Sequence, residues 1–168
     1  MKRRACALLS ACLLGCSLLL AAGCANVETR SATDPAQPVW QGRLAVIVAS
    51  EPPQAFSANF VLLGSASRGT LSLTSILGTS LATLQWDAES ATLKTQQSVK
   101  QFGSADDMVT YSVGTPLPIA TLFGWLQGDA TTVEGWQVDL QSLATGRIRA
   151  WRLAPDAAAE IKIILEPG

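Results

Sequence analysis

Between Phe56 and Gln141 the chain repeatedly alternates apolar and polar residues with a period of two. Phe56, Ala58, Phe60 and Leu62 alternate with Ser57 and Asn59. Leu71 and Leu73 alternate with Ser72 and Thr74, and Ala82, Leu84 and Trp86 with Thr83 and Gln85. Trp136, Val138 and Leu140 alternate with Gln137, Asp139 and Gln141. Successive side chains of a strand point to opposite faces, so this pattern describes strands with one buried face. Further short strands are expected around Arg43–Val48, Ala91–Gln96, Gly146–Leu153 and Glu160–Leu165, with Gly64, Gly69, Gly78, Gly103, Gly135 and Gly146 as turn signals. Short strands at regular spacing with few intervening helices pair as antiparallel hairpins, which makes a barrel or a strongly curved sheet.

Two segments depart from this period. Ser104-Ala105-Asp106-Asp107 has the form of an N-terminal cap, Ser104 and Asp107 being placed for reciprocal backbone bonding, and predicts a short helix through Tyr111. After Pro118, residues Ile119, Leu122, Phe123 and Leu126 fall at i, i+3, i+4 and i+7. They form one apolar helical face, stopped at Gly128. An apolar helix set against a concave apolar sheet either plugs it as ordinary core or lies as a lid over a space left unfilled.

Composition removes several chemistries. Of 168 residues none is histidine, which excludes Ser-His-Asp and Cys-His catalysis and His-ligated zinc. The 12 basic and 13 acidic groups include no basic run, so no nucleic-acid partner is expected. No glycine-rich loop ends in Gly-Lys-Ser/Thr, so no phosphate-binding cofactor site is expected either. Asp106-Asp107 is the one adjacent acidic pair, and its place at a helix start accounts for it. The chain is therefore read as a non-enzyme with no metal and no cofactor. The trio Arg147, Arg149 and Arg152 is read as a solvated strand face, with docking to a partner or to anionic head groups as the alternative.

All four cysteines (Cys6, Cys12, Cys16, Cys24) fall in the first 24 positions, so removal of a leader excludes a disulfide framework. Lys2, Arg3 and Arg4 precede an uncharged stretch through Gly23, the pattern of a secretory signal. The same stretch is nearly long enough for an uncleaved membrane anchor. The ending Leu20-Ala21-Ala22-Gly23-Cys24 resembles a bacterial lipobox, which implies a signal peptide over residues 1–23 and an acylated Cys24. Cys16 is a rival site, but cleavage there leaves an apolar stub. Residues 24–39 are then the acylated cysteine and a polar, proline-containing flexible tether. As a coil its root-mean-square reach is about 20 Å. The domain proper is residues 40–168.

Six blocks carry a family resemblance: Trp40–Val46, Pro53–Gly64, Gly69–Trp86, Thr115–Gly128, Gly135–Gln141 and Gly146–Leu153. Together with the lipobox, they resemble LolB, the outer-membrane lipoprotein receptor family. The resemblance implies a mainly β fold with short helices: an incomplete antiparallel β-barrel, or half-barrel, around an apolar cavity with a helical lid. It also implies the family role. A monomer, lipid-anchored at the periplasmic face of the outer membrane, accepts lipoproteins from the periplasmic carrier LolA, holds their acyl chains and inserts them into outer-membrane lipid. Ala25, where an Asp favours inner-membrane retention, agrees with outer-membrane sorting. The hairpin that often reads Asn-Pro-Leu-Gly in the family is here Ser75-Ile76-Leu77-Gly78.

The cavity-lining candidates are the inward sets Phe56, Phe60, Leu62, Leu71, Leu73, Leu84, Trp86, Trp136, Val138 and Leu140. The lid candidates are Ile119, Leu122, Phe123 and Leu126. Ile76, Leu77 and Gly78 form an apolar tip where turn chemistry normally supplies Asn, Asp or Gly. Such a tip either folds under a neighbouring loop or dips into the membrane; the resemblance favours the second. A different lipid- or acyl-binding sensor or carrier on a similar half-barrel is the alternative function, and a structural lipoprotein with a filled core is another.

Overall fold

A computed structural model describes residues 38–133, 135–153 and 157–167. The expected signal peptide, the acylated Cys24 and the tether up to residue 37 lie outside the described residues. Strand β1 spans Val39–Val48, β2 Gln54–Gly64, β3 Gly69–Thr74, β4 Ser80–Trp86, β5 Ala91–Thr95 and β6 Val99–Phe102. Helices α1 (Ala105–Val113) and α2 (Ile119–Leu126) follow, then β7 (Trp136–Asp139), β8 (Arg147–Arg152) and β9 (Ala159–Leu165). The alternating segments are strands, as the period-two pattern requires. Strand β6 carries no such pattern: Val99, Lys100 and Gln101 are all exposed, so no buried face marks it in the sequence.

The nine strands form one sheet in the order β6-β5-β4-β3-β2-β1-β9-β8-β7, and every neighbouring pair is antiparallel. Strands β6 and β7 are its edges and do not pair, so the fold is an incomplete barrel. The one long-range strand pairing is β1 with β9, which joins Val48 to Ala159 and Gly42 to Leu165. That junction is close: a Cβ at Gly42 would lie 2.0 Å from the Ile164 carbonyl oxygen.

Both helices sit between β6 and β7 in sequence. Ser104 caps α1: its hydroxyl accepts from the Asp107 N–H at 3.1 Å and donates to Asp107 Oδ2 at 2.7 Å. The expected return bond to the Ser104 backbone is thus replaced by one to its hydroxyl. Gly114, at φ 78°, ends the helix after Val113, two residues beyond the expected Tyr111. Asp106 reaches across instead, accepting from the Ile119 N–H at 2.7 Å and capping α2, whose own cap position is Pro118. Both carboxylates of the acidic pair are therefore occupied structurally.

Helix α2 differs from a one-faced amphipathic helix. Thr121 and Trp125 are buried along with Ile119, Phe123 and Leu126, as for a helix enclosed on most sides. Its Phe123 ring makes edge contacts with Trp40 (centroids 5.4 Å apart) and Trp86 (6.2 Å). Register places these tryptophans at one end of the sheet, Trp40 opposite Leu62 and Trp86 opposite Gly69. The Trp86 ring lies over Gly69, where an added Cβ would come within 2.5 Å of it, and its Nε1 donates to the Ser65 carbonyl at 3.0 Å. Truncating Phe123 removes the centre of this cluster, so Phe123→Ala is expected to cost about 3–5 kcal/mol in urea unfolding. A loss below about 1 kcal/mol would show that the cluster does not hold the helix to the sheet.

Candidate functional site

The inner face of the sheet and the two helices enclose a partly open cavity of about 170 Å³. Leu44, Val46 and Val48 come from β1, Gln54, Phe56, Phe60 and Leu62 from β2, and Leu71 and Leu73 from β3. Leu84 comes from β4, and Ile161 and Ile163 from β9. The helical side contributes Val109, Ser112, Val113, Leu117, Leu122 and Leu126. The wall is aliphatic and aromatic apart from Gln54 and Ser112. An apolar lining with few polar groups is the usual wall of a site for an apolar ligand.

Of the sequence-derived lining candidates, Phe56, Phe60, Leu62, Leu71, Leu73 and Leu84 meet at this cavity. Four do not. Trp86 belongs to the aromatic cluster that closes the far end. Trp136 is buried against Trp125, with ring centroids 6.0 Å apart, and its Nε1 donates to the Pro116 carbonyl at 2.9 Å. Val138 is half-buried on edge strand β7, and Leu140 lies beyond the strand in the turn that leads to Leu143. Alternation identifies an inward face but not which part of that face is filled. Among the lid candidates, Leu122 and Leu126 face the cavity, whereas Phe123 and Ile119 are packed elsewhere. The contributions of β1 and β9 were readable as alternation, Leu44-Val46-Val48 and Ile161-Ile163. Val109 and Val113, one helical turn apart, were readable in the same way on α1.

The loop joining the helices is pinned from the sheet edge. Arg152, only 4% exposed, donates from Nη1 to Thr115 Oγ1 and to the Pro116 carbonyl. This corrects the reading of Arg147, Arg149 and Arg152 as one solvated face. Arg152 has the parity of Ile148 and Ala150, which point inward, while Arg147 and Arg149 point out. On that outer face Glu160 pairs with Lys162 at 3.0 Å and with Arg149. The Lys162 ammonium and then the Arg149 guanidinium hold the Glu160 carboxyl below its ordinary range.

The mouth lies at the end of the sheet opposite the tryptophans. Phe56 is 41% exposed while lining the cavity, and Gln54, paired with Val48, is the last residue of that wall. The β3–β4 hairpin projects beyond Thr74 toward the same end. Ile76 is 81% and Leu77 88% exposed there, so the tip is not folded under a neighbouring loop. Ser75 organises the turn without a proline. Its backbone N–H donates to the Thr79 carbonyl, its hydroxyl accepts from the Leu77 and Thr79 N–H groups, and its carbonyl accepts from Gly78 and from Asn59 Nδ2 of β2. Gly78 takes φ 81° with open space around it, and a side chain there is strained by the backbone alone.

Comparison with known sequences points one way. A family profile described as "Outer membrane lipoprotein LolB" matches residues 39–155. The chain is similar to an outer-membrane lipoprotein LolB of Shewanella loihica, 28% identical over 131 residues, covering 73% of this chain and 59% of that protein. It is also similar to one of Shewanella woodyi, 34% identical over 90 residues, covering 54% of this chain and 41% of that protein. The chain thus spans about half the length of these relatives.

The cavity predicts binding of a neutral apolar dye. Nile red should gain fluorescence with the wild type, and Leu122→Trp, which fills the space from the lid side, should weaken that binding at least about tenfold. The overpacking should cost only about 1–3 kcal/mol of stability. Unchanged dye affinity in a folded Leu122→Trp protein would place the dye outside the cavity.

Proposed function

The chain belongs to the outer-membrane lipoprotein LolB family, and on that premise we propose that it receives lipoproteins from a LolA-like periplasmic carrier and inserts them into the outer membrane. The acyl chains of the client enter the apolar cavity, the client's protein part stays in water, and the chains leave through the mouth into lipid. Anchoring through acylated Cys24 and the tether between it and β1, whose first residue is Val39, one position short of the expected tether end, holds the domain near the periplasmic face of that membrane, where it acts as a monomer. No chemical step is involved.

The observation that carries this reading is the placement of an exposed Ile76-Leu77 tip at the same sheet end as the open cavity wall of Gln54 and Phe56. Burying a leucine is worth about 1.5–3 kcal/mol, which an exposed tip forgoes in water and recovers on entering lipid. Exposed apolar groups beside an apolar cavity mark a surface that meets a partner or a membrane. The energetics of transfer follow from the same quantity. Each methylene removed from water contributes about 0.8 kcal/mol, so a free acylated protein does not cross an aqueous gap unaided. A cavity that shelters part of a chain binds less favourably than a bilayer that shelters all of it, and the direction of transfer needs no nucleotide.

The reading predicts a separation of steps in one variant. Leu77→Glu changes a side chain that is 88% exposed, so it should leave unfolding and acceptance of a radiolabelled lipoprotein from the carrier intact while stalling delivery to liposomes. Delivery at the wild-type rate would remove the tip from the mechanism, and loss of acceptance would place Leu77 in carrier docking instead.

A further inference from the structure

We propose that Ser75 is the positioning residue of the Ile76-Leu77 tip: it pre-forms the turn and satisfies the backbone N–H groups that the tip carries into lipid. The inference deepens the membrane-contact reading of the tip given above and rests on it.

Packing does not hold the tip, because both of its apolar side chains stand almost wholly in solvent. Its shape comes from hydrogen bonds, and five of them meet at Ser75. The Ser75 N–H donates to the Thr79 carbonyl at 2.8 Å, and the Ser75 carbonyl accepts from the Gly78 N–H at 2.9 Å. The hydroxyl oxygen accepts from the Leu77 N–H at 3.3 Å and from the Thr79 N–H at 3.2 Å. Asn59 Nδ2 donates to the same Ser75 carbonyl at 3.2 Å. Asn59 belongs to β2, opposite Thr74, so this bond ties the turn to the sheet beyond its own hairpin. The hairpin also carries a bulge at its base: Leu73 faces Ala82 but Thr74 faces Ser80, which leaves Leu81 extra. A bulge bends the strand that carries it, and the Asn59 bond fixes the turn at the end of that bend.

Entry of a turn into lipid carries two costs. A loop not already in its bound shape must be ordered, and a backbone N–H without an acceptor loses water with nothing in return. Ser75 reduces both. It gives acceptors to the N–H groups of Leu77, Gly78 and Thr79, the three residues that follow Ile76. Proline at the second position of a turn fixes the backbone by its ring. Ile76 stands at that position here, and the serine supplies by bonding the order that a ring supplies by geometry.

The test is transfer of a radiolabelled lipoprotein from the carrier, through the full-length protein, to liposomes of phosphatidylethanolamine and phosphatidylglycerol. Ser75→Ala loses both bonds to the hydroxyl, each worth about two- to tenfold, so delivery should slow by about tenfold. Acceptance from the carrier, which reads the cavity, should be unchanged. Ser75→Thr keeps the hydroxyl and should restore delivery, and Asn59→Ala, which frees the turn from β2, should slow it by about two- to tenfold. Wild-type delivery by Ser75→Ala, with Leu77→Glu stalled, overturns the proposal and leaves the tip reading standing. Equal loss of acceptance and delivery in Ser75→Ala also overturns it, since Ser75 then serves the fold alone. If Leu77→Glu itself delivers at the wild-type rate, the tip reading falls, and this inference with it.

Discussion

The fold depends on a sheet whose edges never meet. Nine antiparallel strands curl far enough to present one continuous apolar face, yet the edge strands β6 and β7 do not pair with each other. An apolar concave face left to water is unstable, so something else has to cover it. Helices α1 and α2, inserted between the two edge strands, supply that cover. A sheet that closed on itself and filled with side chains would leave no such space.

The cover is secured unevenly, and this gives the domain a closed end and an open end. At the closed end Phe123 wedges between Trp40 and Trp86. Between the helices, the Thr115–Pro116 segment is held by Arg152 and Trp136 from the β7–β8 edge, and Asp106 ties the start of α2 to α1. Leu122 and Leu126 line the cavity, and at its mouth Phe56 is partly in solvent. The polar anchors thus fix where the helices sit and leave the aliphatic contacts to the cavity. Under the proposed function, exchange of an acyl chain requires only those contacts to be remade, at a small cost for each pair of atoms.

Much of this was legible in the sequence, and the illegible part has physical causes. Alternation gave the inward faces of β2, β3 and β4, because a strand with one buried face has no other way to be written. It could not separate Leu84, which lines the cavity, from Trp86 two residues on, because position along a buried face is set by what packs opposite, here Phe123 and Gly69. Residue type grouped three arginines that strand parity divides: Arg152 shares its face with Ile148 and Ala150. Strand β6 escaped because an exposed edge strand needs no apolar face. The family resemblance was carried by blocks that include both the hairpin tip and α2, and the profile match over residues 39–155 covers those blocks. The helices' mutual cap through Asp106 lay beyond sequence reasoning, since its partner is 13 positions away.

The central claim is that a client's acyl chain lies inside the concave face during transfer. Site-specific photocrosslinking tests it directly: a photoreactive residue at Leu122 on the cavity side is compared with one at Ile164, which is exposed on the outer face. After a carrier presents an acylated lipoprotein, the account predicts crosslinks to the lipid from position 122 and none from position 164. Lipid crosslinks of equal yield at the two positions, or at 164 alone, would contradict it.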